Sequence, residues 1–172
     1  MQLHRSLMAL LLTLAMLVSA SCARQYSVSV NNRTVYDPRQ SLPAVTLADP
    51  SLQACLNLAL QDQDDSAGAE LLALSCPNSG ITSLEGLENL PRLRFLDLAG
   101  NLISNLAPLS ALHQLSGLNL PNNRINDISP LLELSGLSAV VLTGNAAIPC
   151  DQLDELRRRL GDSLTPPSSC RR

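Results

Sequence analysis

Apolar and polar residues recur along the middle of this chain with one fixed period. Residues 93–101 read LRFLDLAGN, residues 115–123 read LSGLNLPNN, and residues 137–145 read LSAVVLTGN, so the period is 115 − 93 = 137 − 115 = 22. Each segment has apolar residues at its fourth and sixth positions and asparagine at its ninth. A weaker copy, LLALSCPNS, occupies residues 71–79. The chain is therefore predicted to contain about 3.5 copies of one short structural unit.

A second set of apolar residues keeps the same period between these segments: Leu84, Leu87, Leu90, Leu106, Leu109, Leu112, Ile128, Leu131 and Leu134. Each unit then reads as a short strand, a turn and a tight return, which is the signature of a leucine-rich repeat. Such units bury their apolar faces only by stacking. The predicted fold is an α/β solenoid whose parallel strands form one concave face.

The asparagine at the ninth position is predicted to be structural. Asn101, Asn123 and Asn145 follow the strands, where their amides can bond to backbone groups of the turn and of the next repeat. They are expected to form a ladder along the solenoid. The competing interpretation is three surface asparagines in loops.

Both ends of the solenoid carry sequences typical of capping helices. Asp49 and Pro50 form a helix start, and apolar residues from Leu52 to Leu60 recur at helical spacing. At the other end a helical face runs from Cys150 to Leu160, with Gly161 as the expected C-cap. Three arginines at 157–159 suit the negative end of that helix, and a phosphate-binding patch is the alternative.

The region before the N-terminal cap contains a predicted signal peptide and a predicted β-hairpin. Residues 1–21 hold an apolar run that is too short for a membrane span and typical of a signal peptide. Residues 26–30 and 33–36 alternate around Asn31 and Asn32, which predicts a β-hairpin. The expected organisation is 1–21 signal peptide, 22–48 arm with hairpin and linker, 49–70 N-terminal cap, 71–149 repeats and 150–172 C-terminal cap.

The end of the signal, VSASC at residues 18–22, resembles the lipobox of bacterial lipoproteins. The resemblance implies that Cys22 is lipidated and becomes the first residue of the exported chain. Ala23, a residue other than aspartate, then favours sorting to the outer membrane. Ordinary signal cleavage, giving a periplasmic or secreted soluble protein, is the alternative.

The chain has five cysteines, and lipid on Cys22 would leave four. These fall into local pairs, Cys55 with Cys76 and Cys150 with Cys170. Three pairings are formally possible, and the local one is predicted because it closes the shortest loops. Each bridge would attach a cap to the solenoid in an oxidising compartment.

Composition and motifs argue against several functions. After residue 21 the chain has 11 arginines, no lysine and 15 acidic residues, which disfavours nucleic-acid binding. His113 is the sole histidine there and has no nucleophile motif near it, so no catalytic residue is predicted. The acidic stretch 62–68 departs from a calcium-loop pattern and reads as a solvated loop. No cofactor, metal or small-molecule substrate is expected.

The resemblance to leucine-rich repeat proteins, whose ligands usually lie on the concave strand face, implies that the outward strand positions bind a partner. They are mostly small, and Phe95 is the one aromatic residue among them. The predicted contact residues are Arg94, Phe95, Asp97, Asn119, Asn122 and Val141. The competing interpretation is that Phe95 only shields the sheet. Four strands offer roughly 300–350 Å², whereas a standard interface takes about 800 Å² per partner, so a protein would also need the rims or caps.

Residues 71–148 resemble the repeats of bacterial internalins, which have the same period, and the whole chain is similar to small leucine-rich repeat lipoproteins. In leucine-rich repeat proteins, ligands usually lie on the concave strand face. The resemblance therefore implies a non-enzymatic module that binds a protein or peptide in the cell envelope. The alternative is a structural accessory that acts through its hairpin and caps.

Overall fold

The computed structural model describes the strands at residues 28–30 and 33–36, and residues 45–61 and 71–170. The predicted signal peptide, Cys22 and the acidic stretch 62–68 lie outside the described residues. The chain divides into two compact units, residues 1–41 and 42–172. In the first unit, β1 (Val28–Val30) and β2 (Arg33–Tyr36) pair antiparallel, which confirms the predicted hairpin.

The second unit is a solenoid with one parallel sheet. Its strands are β3 (Ala73–Ser75), β4 (Phe95–Asp97), β5 (Gly117–Asn119), β6 (Ala139–Val141) and β7 (Leu164–Thr165), in that order. In the first four strands, each residue pairs with the residue at the equivalent repeat position in the next strand. One such row is buried and consists of Leu74, Leu96, Leu118 and Val140. The period of the repeat therefore sets the register of the sheet.

The returns between strands are single short turns of helix. They are the 3₁₀ helices Leu87–Asn89 and Ala107–Ala111, and the α-helix α2 (Ser129–Leu132). Each contributes one fully buried leucine, namely Leu87, Leu109 and Leu131. Because these leucines face the buried strand residues, strand and return together enclose a continuous apolar core.

The N-terminal cap is the helix α1 (Pro50–Gln61). Asp49 precedes it, and its Oδ1 accepts hydrogen bonds from the backbone N–H groups of Ser51 and Leu52 at 2.9 and 3.2 Å. A disulfide joins Cys55 in this helix to Cys76 at the end of β3, with a Cα–Cα distance of 6.0 Å. Asp49 Oδ2 accepts hydrogen bonds from the backbone N–H groups of Thr82 and Ser83 and from the Thr82 hydroxyl. The cap is therefore attached to the first repeat both covalently and through Asp49.

The C-terminal cap contains α3 (Cys150–Leu160), two 3₁₀ turns at Gly161–Ser163 and Ser168–Cys170, and β7 between them. The predicted bridge from Cys150 to Cys170 is present, with a Cα–Cα distance of 5.5 Å. Strand β7 extends the sheet by one strand beyond the four that the repeats predict.

The arginines of α3 make contacts within this cap and with the last return of the repeats. Arg159 donates hydrogen bonds of 2.9 Å to the carbonyl oxygens of Leu131 and Leu132, which end α2. Arg157 donates to Asp154 Oδ1 at 2.7 Å and to the carbonyl of Cys170 at 3.3 Å, and Arg158 pairs with Glu155. Arg157 and Arg158 therefore have partners inside the cap, whereas Arg159 joins the cap to the last return of the repeats.

Candidate recognition surface

The outward side chains of the sheet form two rows across the strands, which we call the concave face. The first row is Ala73, Phe95, Gly117 and Ala139, and the second is Ser75, Asp97, Asn119, Val141 and Thr165. Opposite side chains of adjacent parallel strands lie about 4.8 Å apart. Every residue in these rows is at least partly exposed.

Phe95 is the largest side chain on this face and is 46% exposed. Its ring lies over Gly117 in the next strand: a Cβ placed on Gly117 would be 2.8 Å from Phe95 Cδ2. The ring thus covers the backbone of β5 with one part and is open to solvent with another. The geometry accommodates both shielding of the sheet and contact with a partner.

Asp97 lies between Ser75 and Asn119 in the second row and is held by three donors. Its Oδ1 accepts the Asn119 Nδ2–H at 2.9 Å and the Ala99 backbone N–H at 3.1 Å. Its Oδ2 accepts the Ser75 hydroxyl at 3.3 Å. Because Ser75 and Asn119 belong to the strands on either side, the orientation of the carboxylate is fixed by the sheet itself.

Arg94 and Leu72 lie at the N-terminal edge of the concave face. Leu72 is 48% exposed, and its carbonyl oxygen accepts the backbone N–H groups of both Arg94 and Phe95. In the following repeats the equivalent positions are Ser116 and Ser138, whose hydroxyls donate to backbone oxygens of the preceding repeat. Leu72 was not among the predicted contact residues, although an apolar residue at the second repeat position is a usable sequence signal.

Asn122 has a structural role beyond the predicted contact. It occupies the left-handed region with φ 55°, as do Asn78, Gly100 and Gly144 at the same repeat position. Its Oδ1 lies 2.2 Å from where a Cβ on Gly144 would stand. Asn122 therefore fills the space left by the glycine of the next repeat. Val141, another predicted contact residue, is partly buried in β6.

The asparagine ladder fixes each repeat to the one before it. Asn123 Nδ2 donates to the carbonyls of Leu98 and Leu120 at 3.0 and 3.1 Å, and its Oδ1 accepts the Ile103 N–H at 3.1 Å. Asn101 and Asn145 make the equivalent bonds, and all three side chains are buried. These asparagines satisfy backbone groups inside the core.

Two aspartates at the ends of the solenoid have lowered pKa values. Burial raises the pKa of Asp49, but hydrogen bonds from the backbone N–H of Thr82, the N–H of Leu52, the Thr82 hydroxyl and the N–H of Ser83 outweigh it and lower the pKa to about 2. Hydrogen bonds from Ser129 and then Gln152 lower the pKa of Asp127. Both carboxylates connect a cap to a repeat.

The remaining candidate chemistry is sparse in the described ranges. His113 is exposed, on a turn between the second return and β5. Within residues 45–61 and 71–170, no three His, Cys, Asp or Glu side chains gather closely enough to hold a metal ion. None of the helices in the described part of the chain is long and apolar enough to span a bilayer.

Comparison with known proteins supports the repeat architecture. Residues 70–111 match a family model described as leucine-rich repeats in two copies. An internalin (inlF) from Listeria monocytogenes is similar, with a TM-score of 0.62 and 26% identity over 72% of this chain and 37% of that chain. Internalin C2 (inlC2) from the same species gives a TM-score of 0.53 and 27% identity over 58% and 47% of the two chains.

The chain therefore spans less than half the length of either internalin. No curated protein matches it. The parallel sheet, the repeat period and the two disulfides agree with these similarities. The chain contains a short internalin-like leucine-rich repeat solenoid with disulfide-linked caps.

Proposed function

We propose that this protein is a non-enzymatic recognition module that binds a protein or peptide through its concave face. The observation that carries the proposal is that a half-exposed aromatic ring, Phe95, and an oriented carboxylate, Asp97, lie on the same face. The other outward side chains of the sheet are small or uncharged. Phenylalanine and other aromatic side chains bury large apolar areas and contribute strongly to the energetics of interfaces. Arg94, Asn119, Asn122 and Val141 are proposed to surround this centre.

The size of the face limits the affinity it can provide. The four repeat strands have three residues each and β7 has two. At about 3.3 Å per residue and 4.8 Å between strands, they cover roughly 220 Å², about a quarter of what each partner contributes to a standard interface. Binding is therefore expected to be weak, or to include Leu72 and the turns at the rim of the sheet. Tethering both partners to one membrane would compensate through effective concentration.

We place this module in the bacterial envelope. Disulfides form in oxidising compartments, and two join cysteines among residues 45–61 and 71–170. The proposed route is a signal peptide at residues 1–21, a lipid on Cys22 and the outer membrane, with the boundaries 22–48, 49–70, 71–149 and 150–172 for the exported parts. Intact mass and membrane fractionation of the wild-type and Cys22→Ser proteins test it; a membrane-bound Cys22→Ser protein would contradict the lipid anchor.

Photo-crosslinking in the native cell tests the recognition function. A crosslinkable residue replaces Phe95 in the otherwise intact protein, and adducts are identified by mass spectrometry. The proposal predicts one reproducible adduct that is lost when Asp97 is also changed. Adducts that are absent, or that do not depend on Asp97, would contradict a recognition site on this face.

A structural accessory role is the second candidate, and one observation favours it. Leu58 projects from the N-terminal cap with 64% of its surface exposed, more than Leu72 or Phe95. Under this alternative the caps and the hairpin make the contacts, and the concave face is idle. A crosslinker at position 58 or 36 would then give specific adducts, whereas one at position 95 would give none.

A further inference from the structure

We propose that the group which this concave face recognises is a cation, the arginine or lysine side chain of an extended peptide segment, seated between Phe95 and Asp97. The inference rests on the proposed recognition function and names the chemistry of its ligand.

The charge pattern is the first argument. Asp97 is the one charged residue in the two rows of the concave face. The ion pairs described for the second unit join Arg157 to Asp154 and Arg158 to Glu155, and neither involves Asp97. Arg94 lies at the N-terminal edge of this face, outside the two rows. Within the rows, a single carboxylate among uncharged side chains is complementary to a single positive charge.

The hydrogen bonds of the carboxylate leave room for such a charge. Asn119 and the backbone of Ala99 occupy Oδ1, whereas Oδ2 receives only the Ser75 hydroxyl at 3.3 Å. Each carboxylate oxygen can accept about two hydrogen bonds. Oδ2 therefore retains an accepting position, and the fixed orientation of the group removes the cost of ordering it on binding.

Phe95 supplies the second half of the site. It precedes Asp97 by two residues in β4, so the two side chains emerge on the same face about 7 Å apart. A cation within about 6 Å of a ring centroid is attracted to the ring. One guanidinium group can thus contact the exposed part of the ring and Oδ2 together.

The surroundings favour a peptide over a free ion. A solvated charge pair on a surface binds weakly by itself, and both Phe95 and Asp97 are at least partly exposed. Leu72, whose carbonyl oxygen accepts the backbone N–H of Phe95 and whose side chain is 48% exposed, offers an apolar contact for a second residue of the same segment. Residues i and i+2 of an extended peptide project on one side with the spacing of Phe95 and Asp97.

The test is an NMR titration of the full exported chain, carrying Cys22→Ser and both disulfides. The probe is the peptide acetyl-Ser-Leu-Ser-Arg-Ser-amide, and the control has citrulline, which is neutral and of similar shape, in place of arginine. The arginine peptide should shift the amide signals of Phe95, Asp97 and Asn119 and bind about fivefold more tightly than the control.

Two variants test whether the Asp97 carboxylate causes the preference for the arginine peptide. Asp97→Asn keeps the shape of the side chain and should abolish the preference for arginine. Asp162→Asn, which removes one exposed carboxylate from the C-terminal cap, should retain it. Equal binding of the two peptides, a preference that survives Asp97→Asn, or no shifts on the concave face up to about 10 mM peptide would each overturn the cation site.

The crosslinking experiment distinguishes this failure from failure of the recognition function. A cellular adduct at position 95 that depends on Asp97, combined with a failed arginine titration, would leave the function standing with a different ligand chemistry. Failure of both measurements would remove the recognition function as well.

Discussion

Replacing Asp49 by asparagine tests how the N-terminal cap is joined to the first repeat. Oδ1 of Asp49 accepts the N–H groups of Ser51 and Leu52 in the cap. Oδ2 accepts the N–H and hydroxyl of Thr82 and the N–H of Ser83, in the first repeat. Asparagine retains one oxygen and presents an N–H₂ group to donors, so one of these two sets must be lost.

The magnitude follows from the lowered pKa. Asp49 is only 6% exposed, and its pKa falls from 3.8 to about 2 in the folded chain. At 1.36 kcal/mol per pKa unit, the charged form contributes about 2 kcal/mol to the free energy of unfolding. Because the folded pKa is the lower one, this contribution is complete above pH 3.8 and is lost as the pH falls toward 2.

Urea unfolding of the disulfide-intact chain measures this contribution. Asp49→Asn is expected to lower the free energy of unfolding by about 2–3 kcal/mol at pH 7, including the lost helix cap. The pH-dependent part of the difference from wild type should fall below about 1 kcal/mol near pH 2.5. The exposed Asp162→Asn variant should unfold like wild type. A difference for Asp49→Asn that is near zero, or independent of pH, would refute the role assigned to this carboxylate.

Three further variants test the ladder, the turns and the C-terminal bridge. Asn123→Ala should lower the free energy of unfolding by about 2–4 kcal/mol, because it leaves buried backbone groups of two repeats unpaired. The control Asn126→Ala, at an exposed position, should change it by less than about 0.5 kcal/mol. Equal effects of the two variants in urea unfolding would contradict the ladder. Gly144→Ala should lower the melting temperature, since the new Cβ meets Asn122 Oδ1 at a φ of +79°. Adding Asn122→Gly, which removes that oxygen and tolerates the φ of 55° at this position, should restore part of the loss; no recovery would assign the effect to backbone strain and backbone contacts alone. Cys170→Ser should cost about 3 kcal/mol and release only Cys150 to thiol labelling, and labelling of Cys55 or Cys76 would contradict the local pairing.

The repeat sequence predicted most of the fold because its period is also the register of the sheet. It could not predict β7. Leu164 pairs with Val140, whereas the repeat period counted onward from Val140 arrives at Asp162. A closing strand of two residues after a helix carries no periodic signal. The interaction of Arg159 with the carbonyls of α2 likewise depends on how the cap docks.

The candidate site was predicted in outline, but not in its internal contacts. Spacing alone placed Phe95 and Asp97 on the outward face. The hydrogen bonds from Ser75 and Asn119 to Asp97 require the three strands to align, although the column of polar residues one repeat apart is a visible signal. The turn role of Asn122 follows from backbone conformation, which sequence indicates only through the alternation of asparagine and glycine at residues 78, 100, 122 and 144.

The central claim is that recognition occurs on the concave face and is centred on Phe95 and Asp97. The most direct measurement is the yield of the cellular adduct from a crosslinker at Ala139, on the same face, in wild-type, Phe95→Ala, Asp97→Asn and Leu58→Ser backgrounds at matched protein levels. The account predicts one adduct that is lost with Phe95→Ala and Asp97→Asn and retained with Leu58→Ser. An adduct that survives both concave-face changes and disappears with Leu58→Ser would move the binding site to the N-terminal cap.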